Sequence, residues 1–167
     1  PRPETEVLLD LVSKVFKKNS NISFLDIGCG SGCVTLSLLG IFSNSQGEAF
    51  DVSKEAVMNT QLNLKKYHKL NQVKVFKQDV FKFKTHKKYD LIISNPPYLK
   101  KSDYINLSPS IKIYEPTNAL VSDSKDGTMF YNHIISSYKN NLKLNGYLAF
   151  EIGDNQFKKL QKLLSQN

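Results

Sequence analysis

From Glu4 to Phe16 the chain reads ETEVLLDLVSKVF, with Val7, Leu8, Leu11, Val12 and Val15 at helical spacing. That pattern predicts an amphipathic helix over residues 4–18. NISFLDIG (21–28) is a short apolar, β-branched run ending in glycine, as in a strand buried on both faces. The apolar run from Cys33 to Phe42 predicts a helix, and GEAFDV (47–52) a second strand. Ser53 is a natural N-cap for a helix from Lys54 to about His68, whose apolar positions are Ala56, Val57, Leu62 and Leu64. QVKVF (72–76), YDLIIS (89–94) and YLAFEIG (147–153) give the third, fourth and fifth strands. A helix from Asp126 to Lys143, with Met129, Phe130, Ile134, Ile135, Tyr138 and Leu142 on one face, is expected between the last two strands, and another from Asn155 to Leu164 after them.

Strands alternating with helices of this length imply right-handed crossovers and an α/β fold: a mostly parallel sheet with helices on both faces. No repeat or low-complexity linker interrupts the pattern, so one compact unit is expected. Residues 95–125 break it with a long, polar, proline-bearing stretch, and a loop of that length is usually functional.

Composition narrows the classes. The chain is 40% hydrophobic with only 8 Gly and 6 Pro, enough apolar residues for a sizeable core. There is no 18-residue uncharged apolar run, so no membrane span is expected. PRPETE at residues 1–6 has neither an initiator Met nor the flanks of a signal peptide, which reads as a soluble piece of a longer protein. Cys29 and Cys33 have no histidine close by and are too few for a disulfide framework or a zinc site. A reducing compartment such as the cytoplasm is expected. The net charge of +8 admits two readings, a surface that meets phosphate or the lysine bias of an AT-rich coding sequence. The basic residues are 22 Lys and the single Arg2; a phosphate reader would use more guanidinium, so nucleic acid is the lesser reading.

The candidate chemistry begins at LDIGCGSGC (25–33), which places Gly28, Gly30 and Gly32, with Cys29 and Ser31 between them, at a strand-to-helix turn. Glycine there permits a tight turn and the close approach of a ligand. The pattern is GxGxG, with Cys33 where a dinucleotide fold needs its last glycine, and this disfavours NAD. Asp26 just ahead is a poor neighbour for pyrophosphate and a good one for an ammonium group. Standing alone, the loop has a lesser alternative reading, a turn that merely packs helix on strand. Asp51 ends the second strand 23 residues after Gly28, near the offset at which an acid reaches ribose hydroxyls. Asp79 follows the third strand, placed to accept from an exocyclic adenine amine with Val80 and Phe81 as apolar cover. Each acid singly is more often a solvated turn residue. Together they describe an adenosine-bearing cofactor with an amino-acid tail.

The fourth strand runs into Asn95-Pro96-Pro97-Tyr98, a stiff loop in which each proline fixes its φ and restricts the residue before it. In their order these motifs resemble the S-adenosylmethionine-dependent methyltransferases with a Rossmann-like sheet. PRPETE (1–6), YEPTNAL (114–120), DGTMFY (126–131) and the EIG of Glu151 to Gly153 further resemble the release factor glutamine methyltransferases, over essentially the whole chain. That resemblance implies S-adenosylmethionine as cofactor, held by Asp26, Gly28, Cys29, Gly30, Ser31, Gly32, Asp51, Asp79, Val80 and Asn95. It implies a class-1 peptide-chain release factor as partner and the side-chain nitrogen of its GGQ glutamine as acceptor. Asn95, Pro96, Pro97 and Tyr98 would bind that substrate. The Asn95 oxygen and the Pro96 carbonyl would each accept an amide N–H, and Tyr98 would stack on the planar amide. It also implies that residues 1–167 form the catalytic domain, without the family's N-terminal release-factor-binding domain and last strands. His68, His86 and His133 lie outside every motif, and no metal is implied. A nucleic-acid methyltransferase acting on adenine N6 or guanine N2 is the alternative, to which the lysine runs 65–69 and 82–88 would belong.

Overall fold

The computed structural model describes residues 3–17, 20–97, 127–153 and 156–166. They form α1 (Pro3–Val15), β1 (Ser23–Ile27), α2 (Cys33–Ile41), β2 (Gln46–Asp51), α3 (Lys54–Lys66), a 3₁₀ turn (Leu70–Gln72), β3 (Val73–Lys77) and β4 (Tyr89–Ser94). After the loop come α4 (Met129–Tyr138), a second 3₁₀ turn (Lys139–Asn141), β5 (Leu142–Phe150) and α5 (Phe157–Ser165). The strands make one parallel sheet in the order β3-β2-β1-β4-β5. From β1 the chain winds outward through β2 and β3, then returns to place β4 on the other side of β1. That reversal is the topological switch point of the sheet, at the carboxyl ends of β1 and β4, where open α/β sheets take their ligands.

Two compact units partition the chain, one comprising Pro1–Asn95 and Asn140–Glu151, the other Pro96–Lys139 and Ile152–Asn167. In the first, strand residues alternate between faces as a period of two requires. Phe24, Ala49, Val73, Leu91 and Ile93 meet Leu8, Leu9 and Val12 of α1, Val34, Leu38 and Leu39 of α2, and Leu64 of α3 in one core. Leu25, Ile27, Phe50 and Ile92 point the other way and are equally buried, as expected for strands covered on both faces. Phe50 stacks there with Phe76 and Phe83 at ring separations of 5.7 and 4.8 Å. In the second unit Tyr131, Ile134, Ile135 and Tyr138 of α4 are buried, and the Gln156 side chain donates to the Gly127 carbonyl and accepts from the Gly153 N–H. Among the described residues no helix is long and apolar enough to cross a membrane.

Three expectations change. In α1 the buried residues are Thr5, Leu8, Leu9 and Val12, while Val7, Leu11 and Val15 are exposed. The helix is apolar around more than half its girth, and a hydroxyl decides which flank turns inward: Thr5 Oγ1 donates to the buried Glu151 carboxylate at 2.7 Å. In α3 the buried set is Val57, Thr60 and Leu64; Leu62 is exposed and Ala56 half-buried. Finally, β5 begins at Leu142, a residue that the apolar pattern assigns to the preceding helix. Tyr89 pairs with Leu142 and Leu91 with Tyr147, so the residues between bulge out of register, with Asn145 in the left-handed region at φ 61°. A lone Asn-Gly pair signals a strand end, and here it marks a bulge within a longer strand.

Gly47 of β2 is the tightest packing constraint. A Cβ built there would lie 2.4 Å from the ring of fully buried Phe24. Gly47→Ala must therefore displace that ring, and it should destabilise the fold by about 1–3 kcal/mol. A urea melt checks this: the midpoint falls while the slope is unchanged.

Candidate active site

Strand register lines up the predicted residues. Ile27 pairs with Phe50 and with Ser94, Asp51 with Lys77, and Ser94 with Phe150. The residues at or just past these positions therefore share one carboxyl edge: the Gly28–Gly32 loop, Asp51, Asp79, Asn95 and Glu151. All of these lie in the first unit.

The loop's shape requires glycine. Gly28, Gly30 and Gly32 have φ of 75°, 55° and 78°, the left-handed region that side chains resist. The Gly28 and Cys29 N–H groups both donate to the Phe50 carbonyl, at 2.9 and 3.0 Å, fastening the loop to β2. Asp51 clamps it further. One carboxylate oxygen accepts from the Gly30 N–H at 3.0 Å and the other from the Ser53 N–H at 2.9 Å. Ser53 then caps α3 by accepting from the Ala56 N–H at 3.1 Å, as its sequence position predicts. From α3, Thr60 Oγ1 donates to the Gly30 carbonyl at 3.0 Å and the Asn63 amide to the Ser31 carbonyl at 2.9 Å.

Sequence reasoning missed Thr60, and it missed Thr35, whose hydroxyl donates to Asp26 at 2.5 Å. Both are fully buried on otherwise apolar helix faces, and that is the one signal by which the sequence marks them. Asp26 is 1% exposed. Burial, opposed by the Thr35 hydrogen bond and assisted by the nearby Asp51 charge, pushes its carboxyl up to about 6. Cys29 is buried beside it, and desolvation followed by the Asp26 charge holds its thiol up at about 12, so it is an inert packing group.

Asp79 accepts from the Phe81 N–H at 2.9 Å, forming a tight turn that buries Val80 and leaves Phe81 43% exposed at the edge. Asn95 is half-buried directly after β4. Its position is fixed through Ser94, whose hydroxyl donates to the Ile27 carbonyl at 2.7 Å and whose carbonyl accepts from the Glu151 N–H at 3.1 Å. Pro96 and Pro97 belong to the second unit, and Tyr98 and YEPTNAL lie outside the described residues. His68 and His86 are exposed and off this edge, while His133 sits on α4. Among the described residues no cluster of His, Cys, Asp and Glu can hold a metal ion.

The edge presents carboxylates beside a loop whose Gly28, Cys29, Gly30 and Gly32 N–H groups are already bonded within the protein, and residues 26–33 contribute no basic side chain to it. Such a surface suits a cationic or neutral ligand and repels a diphosphate.

Comparison with known proteins agrees with this geometry. The methyltransferase small domain family matches residues 4–123. The chain is 38% identical to a release factor glutamine methyltransferase of Fusobacterium nucleatum, over all of this chain and 47% of that protein. It is 32% identical to one of Clostridium botulinum, over 99% of this chain and 59% of that one. A bifunctional methyltransferase of Rickettsia prowazekii is 30% identical over 98% of this chain and 35% of its own length. The chain thus spans about half the length of the curated relatives it matches. Among solved structures, a methyltransferase from Pyrococcus furiosus superposes with a TM-score of 0.69 over 96% of this chain and 68% of that one, at 17% identity. A Geobacter sulfurreducens S-adenosylmethionine-dependent methyltransferase superposes at 0.57 over 89% of this chain and 47% of its own, at 14% identity. At those identities the structures establish the Rossmann-like fold. With the family match across most of its length and the glycine loop in place, the chain belongs to the methyltransferase small domain family.

Proposed function

We propose that this chain binds S-adenosylmethionine along the carboxyl edge and methylates the side-chain nitrogen of the GGQ glutamine in a class-1 peptide-chain release factor. The observation that carries the reading is the placement of Asn95 directly after Ser94, which is bonded to both neighbouring strands, in one row with the glycine loop, Asp51 and Asp79. The names of its most similar relatives point to the same acceptor.

The residues suit the cofactor. The open glycine turn admits a ligand against the backbone: a Cβ at Gly28 or Gly30 would meet nothing within 4 Å. Asp51 holds the loop and would face the ribose hydroxyls, Asp79 would accept from the adenine amine, and Val80 and Phe81 would cover the ring. Asp26, behind the loop, provides negative charge for the ammonium end. When bound, the cofactor supplies a methyl group carried on a sulfonium sulfur.

An amide nitrogen is a weak nucleophile because its lone pair is delocalised, so the residues must orient it. The Asn95 side-chain oxygen accepts one N–H of the glutamine, and the Pro96 carbonyl accepts the other. Together they aim the nitrogen and favour the positive charge that develops on it. Proline's fixed φ sets where that carbonyl points. Tyr98, outside the described residues, is the aromatic that the motif would supply to the amide plane. The nitrogen proton departs to water, so no histidine is required.

Asp26 gives the site a pH dependence. The protonated carboxyl attracts a cation less, so cofactor affinity should weaken as pH falls through about 6 and level off above it. The weakening approaches tenfold per pH unit where protonation dominates. Stability of the unliganded chain runs the opposite way. A carboxyl whose value is raised from 3.8 contributes stability that is full below 3.8 and lost as pH rises through about 6. Asp26→Asn should flatten both profiles, and calorimetric titration with S-adenosylhomocysteine and urea melts between pH 4 and 8 check them.

The reading as a whole is tested by incubating the whole protein with tritiated S-adenosylmethionine and, separately, a release factor, DNA and RNA. Label is expected in the release factor alone; label in a nucleic acid would replace the glutamine reading with the base-methylating one.

A further inference from the structure

The net charge of +8 is not spread over the chain. Residues 65–88 hold nine lysines, at 65, 66, 69, 74, 77, 82, 84, 87 and 88, against one acid, Asp79. That segment alone carries +8, which leaves 14 basic and 14 acidic residues everywhere else. A coding bias raises lysine throughout a sequence and does not clear acids from one stretch of it.

The fold gathers these lysines around one margin of the sheet. Lys65 and Lys66 end α3, Lys69 precedes the 3₁₀ turn, and Lys74 and Lys77 lie on β3, the last strand in the sheet order. Lys82, Lys84, Lys87 and Lys88 follow on the return to β4, where Phe83 anchors the chain against Phe50 and Phe76 on the face opposite α3. The charge therefore runs from one face of the sheet, around the β3 edge, to the other. Eight of the nine lysines are exposed and Lys69 is half-buried. Among the described residues, counter-charge along the margin comes from Glu48, Glu55 and Asp79: Lys87 pairs with Glu48 at 2.8 Å with Lys74 also acting on it, Lys77 acts on Glu55, Lys82 stands 3.8 Å from Asp79, and Lys88 donates to the Asn140 carbonyl. Exposed aromatic surface is interleaved. Tyr67 is 59% exposed with the Lys66 ammonium 5.8 Å over its ring.

A lysine-studded edge strand also deters edge-to-edge aggregation, which accounts for Lys74 and Lys77. It does not account for seven lysines on the flanking helix end and loop, nor for the exposed Tyr67. We infer that this margin is a contact surface for the phosphate backbone of a single-stranded nucleic acid, bound as a partner and not as a methylation substrate. Exposed ammonium groups attract phosphates and release their counterions, and the exposed Tyr67 ring gives a base a stacking surface. An acidic polypeptide would match the charge but has no base to stack on that ring. The inference stands apart from the methyl-transfer reading, since none of the lysines is assigned to that site.

The test uses the full chain and fluorescein-labelled single-stranded RNA, single-stranded DNA and polyglutamate, with anisotropy followed across a salt series. Both nucleic acids should bind, with affinity falling steeply as salt rises; a preference between them identifies the source. The fourfold variant Lys65→Glu, Lys66→Glu, Lys74→Glu, Lys84→Glu should weaken binding by roughly 30-fold or more and flatten the salt slope by about 3, from about 0.7 for each lost phosphate contact. A control with the same total charge, Lys17→Glu, Lys158→Glu, Lys159→Glu, Lys162→Glu, should lose far less. Tyr67→Ala should weaken binding with the salt slope unchanged. Equal losses in the two fourfold variants, polyglutamate binding as tight as RNA, or no nucleic-acid binding by the parent chain would each overturn the inference. Circular dichroism of each variant separates lost binding from lost folding.

Discussion

Asn95→Ala is expected to slow glutamine methylation about 10²-fold, the worth of one preorganised hydrogen-bonding contact in a site of this kind. The size follows from how firmly the residue is placed. Ser94 just before it is bonded to the centre of the sheet through Ile27 and to β5 through the Glu151 N–H, so the backbone leading into Asn95 has little freedom. Alanine leaves that backbone intact and removes only the acceptor. The loss should therefore fall on kcat, while cofactor affinity, set mainly by the glycine loop and the two acids beyond it, changes by no more than a few fold. Asn95→Gln keeps the amide and lengthens the arm, and it should lie between alanine and the parent. Steady-state kinetics with the release factor, together with calorimetry of the cofactor, separate the two effects. Full turnover in Asn95→Ala would remove the residue from the mechanism.

Asp51→Ala is expected to cost at least about 10² in cofactor affinity, from a different cause. Its carboxylate accepts from the Gly30 and Ser53 N–H groups at once, so it holds both the ligand loop and the start of α3. Charge-assisted hydrogen bonds of this type contribute about 1.5–3 kcal/mol each. Losing both loosens the Gly30 turn, whose glycines have no intrinsic preference for the bound shape, although the Phe50 carbonyl, Thr60 and Asn63 still tether the loop. Asp51→Asn keeps one acceptor oxygen and should recover part of the loss. The readout is the rise in melting temperature that S-adenosylhomocysteine produces: large in the parent, small in Asp51→Asn and absent in Asp51→Ala. An undiminished shift in Asp51→Ala would show that the loop is held by other contacts.

Most of the fold can be read from the sequence because it rests on short-range pattern. Strands covered on both faces are compact apolar runs, the helices between them are amphipathic, and Ser53 marks the start of α3 by residue type and position alone. The carboxyl edge is legible for a related reason. In a parallel sheet every strand ends on the same side, so Asp26, the glycines, Asp51, Asp79 and Asn95 converge once the alternation is recognised. What stays hidden depends on tertiary choice. The inward flank of α1 is decided by Thr5 meeting Glu151, 146 residues away, and local periodicity holds no trace of that partner. The start of β5 depends on a bulge that only pairing with β4 reveals. Thr35 and Thr60 look like ordinary helix residues until the groups they bond, Asp26 and the Gly30 carbonyl, are in place beside them.

In the proposed reaction the acceptor is a glutamine amide. Mass spectrometry of a class-1 release factor after incubation with the whole protein and S-adenosylmethionine, beside the same factor with its GGQ glutamine changed to alanine, distinguishes that acceptor from any other. One added methyl group is expected, located on that glutamine and absent from the altered factor. A methyl group on both factors, or on neither while the cofactor binds normally, would exclude the glutamine as acceptor.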